Sequence, residues 1–189
     1  MTRTYTKKRR AEQEGETRQR IVEAAVDLHS TVGPKRTTIS MLAERAGVQR
    51  HTVYAHFPDT RSLLMACSGL AEERDAMPDA EAWRSVTDRA ERLRAGLSTL
   101  YGWFARNASL VACVLRDAED DALLREIVEA GYGPRFRSFH EVLGEGLSGR
   151  QRTILQLALS FYTWRSLTRD SGLNTDAAVE TMVQAIAAA

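Results

Sequence analysis

The stretch Ala46-Gly47-Val48-Gln49-Arg50-His51-Thr52-Val53-Tyr54-Ala55-His56-Phe57 alternates apolar anchors with side chains that donate or accept hydrogen bonds. Two chemistries suit these residue types: histidines can ligate a metal, and Arg, Gln, Thr, Tyr and His can meet the base edges and phosphates of a nucleic acid. The spacing favours the second. His51 and His56 are five residues apart, a poor match to the i, i+4 spacing that sets two imidazoles on one helix face, and no carboxylate or thiolate stands where it would complete a metal site. With Val53 on the buried meridian of a helix, steps of about 100° per residue put Phe57 inside, His51 and Ala55 opposite, and Thr52 and Tyr54 on the flanks. Arg50, near the helix start, suits bidentate pairing with guanine; Gln49 suits adenine, and the small Ala55 suits a thymine methyl. Arg50, His51 and Thr52 would then read sequence. Thr38, Tyr54, His56 and the N–H groups at helix starts would hold phosphate.

Such a strip must be positioned by its neighbours. From Thr17 onward, Ile21, Ala25, Leu28 and Val32 recur at helical spacing until Gly33-Pro34 ends the run. Thr37 and Thr38 offer hydroxyl caps to a second helix bearing Ile39, Leu42, Ala43 and Ala46, which Gly47 ends by taking a left-handed conformation. Val48 plugs the turn, and a third helix runs from about Gln49 to Phe57, stopped by Pro58. Two short helices joined by a tight turn are the outline of a helix-turn-helix, whose second helix lies in the DNA major groove. Asp59 caps a fourth helix carrying Leu63, Leu64, Cys67, Leu70 and Ala71 as far as Met77-Pro78.

Beyond Pro78 the periodicity predicts a long fifth helix from about Asp79, with Trp83, Val86, Ala90, Leu93, Leu97, Leu100, Tyr101 and Phe104 on one face. The acidic run Asp117, Glu119, Asp120 and Asp121 lacks the glycine and closing glutamate of a calcium loop and reads as a solvated turn. Gly131-Tyr132-Gly133-Pro134 is expected to break the chain, with Pro134 opening a helix that carries Phe136, Phe139, His140 and Leu143. Residues 150–169 are apolar on more than one side, which suggests burial against two surfaces, one of them a candidate second subunit. A last helix begins near Asn174-Thr175. No segment demands a strand. The expected fold is all-α: a flexible basic arm over 1–16, a three-helix DNA-binding domain over 17–62, and a larger helical ligand-binding and dimerisation domain over 63–189.

Composition agrees with this division. A net charge of +1 conceals 12 Lys/Arg against 7 Asp/Glu through Arg61, and 14 against 18 thereafter. A basic N-terminal part on an acidic remainder suits a polyanion at one end only. Cys67 and Cys113 match no zinc or redox spacing and read as small buried hydrophobes, and no secretory signal or membrane-length apolar run occurs, so a cytoplasmic protein is expected. An enzyme built on Cys113 or His140 is the remote alternative, because no nucleophile, base and orienting group stand together at recognisable spacing. No cofactor or metal is expected.

Residues 37–64, TTISMLAERAGVQRHTVYAHFPDTRSLL, resemble the TetR family of bacterial transcriptional regulators: a threonine-started helix, Ala-Gly-Val in the turn, Thr-Val-Tyr-x-His-Phe, and a leucine-bearing fourth helix. With helix one the likeness covers residues 17–64. It implies a homodimer formed through the last two helices, with each recognition helix in half of a palindromic double-stranded DNA operator, and a small-molecule effector that releases the operator. The matching DNA-contact positions are Thr38, Gln49, Arg50, His51, Thr52, Tyr54 and His56. Where members often carry a lysine as phosphate anchor at the start of the fourth helix, this chain has Thr60 followed by Arg61, and Arg61 becomes the candidate for that contact. An effector pocket would draw on Trp83, Tyr101, Phe104, Cys113, Arg116, Phe136, His140, Phe161 and Trp164. The same aromatics suit a filled core equally well, leaving open a regulator that answers to a protein partner or to no ligand.

Overall fold

The computed structural model describes residues 2–189, with side chains from Lys8 onward. In chain order its α-helices are α1 (Thr2–Thr31), α2 (Ile39–Ala46), α3 (Arg50–His56), α4 (Thr60–Arg74), α5 (Glu81–Arg84), α6 (Arg89–Ala118), α7 (Ala122–Leu143), α8 (Gly149–Ala158), α9 (Phe161–Arg165) and α10 (Thr175–Ala187). A π-helical turn, Ser166–Asp170, follows α9, and no strand occurs among the described residues. The helices form two compact units, one reaching Ala76 and including Ala112–Ile127, the other made of Met77–Val111 and Val128–Ala189.

The first unit is built on α1, against which α2 and α4 pack. Ile21, Val22 and Ala25 of α1 meet Leu42, Val53, Phe57, Leu63, Cys67 and Leu70 in one buried cluster. Leu63, Cys67 and Leu70 thus belong with the helix-turn-helix core, and the unit extends past the boundary expected after residue 62 to Ala76. Burial pushes the Cys67 thiol up to about 12, so it stays protonated as a small apolar filler.

Residues 2–16, expected as a flexible arm, are instead the opening turns of α1. Lys, Arg, Ala, Glu and Gln are strong helix formers, no proline interrupts them, and Arg10 pairs with Glu14 one turn on, at 3.3 Å. Lys8, Arg9 and Arg10 are exposed; the side chain of Lys7 and all of Met1 lie outside the described residues.

In the second unit the expected long fifth helix is two. Asp88 accepts the Glu91 N–H at 2.8 Å and so starts α6 afresh after the single turn of α5. The opposite correction applies to Gly131-Tyr132-Gly133-Pro134, where α7 runs on through the proline. Proline costs the helix one hydrogen bond, and the buried Phe139, Val142 and Leu143 hold the turns beyond it. Residues 150–169 divide at Ser160, whose hydroxyl accepts the Tyr162 N–H and opens α9. Asn174 caps α10 as its sequence suggested, accepting from Ala177 at 2.8 Å.

Candidate nucleic-acid interface

The turn between α2 and α3 is held by local chemistry. Thr38, in an extended conformation, accepts the Met41 N–H at 3.2 Å and caps α2. Gly47 ends α2 at φ 64, a left-handed value that costs other residues energy, and Val48 N–H returns to the Ala43 carbonyl at 2.9 Å. Arg20 of α1 donates to the Ala46 carbonyl at 3.3 Å, tying the turn to the scaffold helix.

On α3, Val53 is fully buried and Phe57 nearly so, with the Arg18 guanidinium 5.0 Å above the Phe57 ring. These anchors leave Gln49, Arg50, His51, Tyr54 and Ala55 exposed and Thr52 and His56 partly exposed. Tyr54 is an exposed large aromatic at 56%. Thr38 is exposed too; its hydroxyl oxygen serves the cap, and the O–H hydrogen stays available as a donor. The seven residues thus occupy the cap of α2, the cap of α3 and the outward side of α3. Arg61, on the first turn of α4, is exposed but not free: its Nη1 and Nη2 donate to the two carboxylate oxygens of Glu126 at 2.9 and 2.8 Å.

The unit is fastened at the end of α1 by residues from the α6–α7 corner. The acidic run expected as a solvated turn is split: Glu119 and Asp120 are exposed, whereas Asp117 is buried. The Asp117 carboxylate accepts the Lys35 N–H at 3.0 Å and Arg116 Nε at 2.8 Å, and Arg116 Nη2 donates to the Val32 carbonyl at 3.0 Å. The Cys113 thiol lies against the Ser30 and Thr31 carbonyls. Sequence reading missed this clamp because its partners are some 82 to 84 residues apart and no periodicity links them.

His29 is buried beside the clamp. Burial pushes its imidazole down to about 4, while the Asp117 charge acts in the opposite sense. Below pH 6.5 the unfolded chain takes up this proton first, so the stability held by neutral His29 is complete above that value and is lost as pH falls toward 4. Lowering the pH from neutral to 5 should cost the first unit about 2 kcal/mol through this residue. Denaturant unfolding of the wild type and of His29→Gln at both pH values checks it: the variant should lose much less stability on acidification, and equal losses would refute the assignment.

The residues expected around an effector fall in both units. Cys113 and Arg116 belong to the first, in the clamp. In the second, Phe104 meets Trp103, Tyr101, Phe161 and Trp164 with ring centroids 5.4 to 6.3 Å apart, and the Tyr101 hydroxyl donates to the Ala158 carbonyl at 2.9 Å. Trp83 packs tilted, and Phe136 edge-on, against Phe139. His140 is half-buried, and its pKa is lowered by that burial. A cavity of about 260 Å³ opens elsewhere in this unit, lined by Met77, Pro78, Asp79, Ala80, Arg135, Ser138 and Phe139, none of them among the expected nine. The buried Trp164 Nε1–H lacks a hydrogen-bond partner. No group of three or more His, Cys, Asp or Glu among the described residues could hold a metal ion.

Known proteins share this segment. Residues 21–67 match the family described as bacterial regulatory proteins, tetR family. The helix-turn-helix segment is that of the TetR family. The matched segment runs from Ile21 of α1 to Cys67 of α4, and contains the whole helix-turn-helix with its buried anchors. An uncharacterized HTH-type transcriptional regulator of Mycobacterium tuberculosis is 36% identical over 97 residues, 46% of this chain and 51% of its own length. The tetracycline repressor protein class A from transposon 1721, of Escherichia coli, is 34% identical over 117 residues, covering 59% of this chain and 54% of that protein. The chain thus aligns with about half the length of these curated relatives. Among solved structures, a HlyIIR mutant protein superposes with TM-score 0.66 at 17% identity, covering 91% of this chain and 96% of that one. The regulator FadR from Bacillus subtilis, solved with stearoyl-CoA, superposes with TM-score 0.63 at 19% identity, covering 89% and 96%. At these identities the structures establish a shared helical fold. No helix among the described residues is long and apolar enough to cross a membrane.

Proposed function

We propose that the chain is a sequence-specific transcriptional regulator that binds double-stranded DNA, acting in the cytoplasm as a dimeric repressor released by a small molecule. The observation that carries the reading is the face of α3: Val53 and Phe57 turn inward, and Arg50, His51 and Tyr54 are left exposed beside the capped start of α2. Arg50, His51 and Thr52 read base edges, and Thr38, Tyr54, His56 and Arg61 hold phosphates, with Gln49 at the helix start. Dimerisation through the last helices is supported by Leu157 and Tyr162, apolar side chains left 52% and 45% exposed in α8 and α9. It is also the assembly that turns one recognition helix into a pair about one DNA turn apart.

Effector release is supported by the cavity beside Arg135 and Ser138. A ligand coupling of about 1 to 3 kcal/mol lowers DNA affinity roughly 5- to 150-fold. The ring-on-ring packing around Phe104 favours a second reading, in which this part of the molecule is a filled core and the regulator answers to a protein partner or to none.

Selection of binding sites from a random duplex library tests the first claim. An inverted repeat whose affinity falls steeply with salt is the expected product. Failure to enrich any sequence would overturn the reading. The effector claim is tested on the enriched site: a small molecule that both raises the melting temperature and releases the duplex supports it, and a chain that responds to a protein partner alone favours the second reading.

A further inference from the structure

Among the described residues, Arg61 is set apart from the other seven DNA-contact candidates by having its charge already engaged by a carboxylate. Glu126, on the second turn of α7 and 65 positions further along the chain, accepts from both terminal nitrogens of the guanidinium at 2.9 and 2.8 Å. Both side chains remain more than half exposed, 52% for Arg61 and 61% for Glu126, so water, salt and a ligand can reach the pair. Asp59, which caps α4, adds a second negative charge near the same guanidinium. A carboxylate and a phosphate seek the same fork of N–H donors, and the fork satisfies one planar partner at a time through those two nitrogens.

We propose that Glu126 competes with operator phosphate for Arg61, making a residue outside the helix-turn-helix a determinant of DNA affinity and of its salt dependence. The inference rests on the DNA-binding reading above. If Arg61 leaves Glu126 to take a phosphate, the buffer must repair a lost ion pair. If it stays, the guanidinium is neutralised and releases no counterion from the DNA. In the first case DNA binding costs the ion pair; in the second the chain binds with one fewer phosphate contact. Glu126 lies in the unit that holds the recognition helix, on the same helix that continues past Pro134 to the cavity residues Arg135, Ser138 and Phe139.

The test uses the full chain and the duplex enriched by the wild type, titrated by fluorescence anisotropy between about 50 and 200 mM salt. Glu126→Gln keeps the shape of the side chain and removes its charge. It should tighten binding up to about fivefold at the low-salt end, and steepen the logarithmic salt slope by up to about 0.9 where Glu126 otherwise holds Arg61 away from phosphate. Glu126→Ala, which removes the competing carboxylate altogether, should do the same. In an Arg61→Ala background the Glu126→Gln gain should disappear, because Glu126 acts through Arg61. A gain that persists unchanged in that background would overturn the inference and assign Glu126 a direct repulsion of DNA. Unchanged affinity and slope in a wild type that does bind its selected duplex would also overturn it, leaving the DNA-binding reading intact. A wild type that binds no duplex would instead remove both.

Discussion

Replacing Gly33 with alanine should unfold the first unit at a markedly lower temperature and weaken DNA binding with it. Gly33 sits at φ 97, a backbone conformation that side chains rarely adopt, and an added Cβ would overlap Arg116 Nη2 and Asp117 Oδ2. The guanidinium is the far end of a flexible chain and can move aside. The Asp117 carboxylate cannot do so freely, since it is short, buried and engaged with the Lys35 N–H. The left-handed backbone penalty is about 1 to 2 kcal/mol, and disturbing a buried hydrogen-bonded carboxylate adds about 1 to 3 kcal/mol. A loss of about 3 kcal/mol, or roughly 6 to 12 °C for a chain of this size, follows. Thermal unfolding followed by circular dichroism reads it. A melting temperature within a degree or two of wild type, roughly the effect of half a kcal/mol, would show that the clamp at the end of α1 carries little stability.

Arg50→Ala is expected to produce the largest change in sequence discrimination. Arg50 is exposed at the first position of α3, and the backbone beneath it is held by Val53 and Phe57, so truncation should leave the unit folded. A bidentate Arg–guanine pair is worth about 1 to 3 kcal/mol against the wrong base, so discrimination at one position of each half-site should fall by roughly 5- to 150-fold. A base-substitution scan of the selected operator measures it. If the variant keeps the parent's full preference at every position, Arg50 is no base reader and the contact belongs to phosphate.

What was legible in the sequence was local. The caps Thr38, Asp59 and Asn174, the stop at Gly47 and the inward spacing of Val53 and Phe57 are short-range signals, because a helix satisfies its own hydrogen bonds within four residues. They were enough to outline the helix-turn-helix and its exposed strip. Signals of the same kind misled where a neighbour outweighed them: Gly131 to Pro134 contains the residues that usually stop a helix, yet α7 continues through them. Residues 2–16 have no apolar stripe, yet helix propensity and contiguity with the packed part of α1 carry them into the helix.

Partnerships across the chain were decided by the tertiary structure alone. Asp117 looks like one more carboxylate in an exposed acidic run until its turn is brought against Lys35, where burial and two hydrogen bonds make it a structural group. Arg61 looks like a free phosphate anchor until α7 sets Glu126 against it. The aromatics of the second unit are a list of candidate pocket residues until Phe104, Phe161 and Trp164 are found packed on one another, with the cavity opening by Arg135 and Ser138 instead. The physical reason is common to all three. Helical periodicity records which way a side chain faces, whereas an ion pair or a cavity depends on what another helix places opposite it, and that choice leaves no mark at any fixed spacing along the chain.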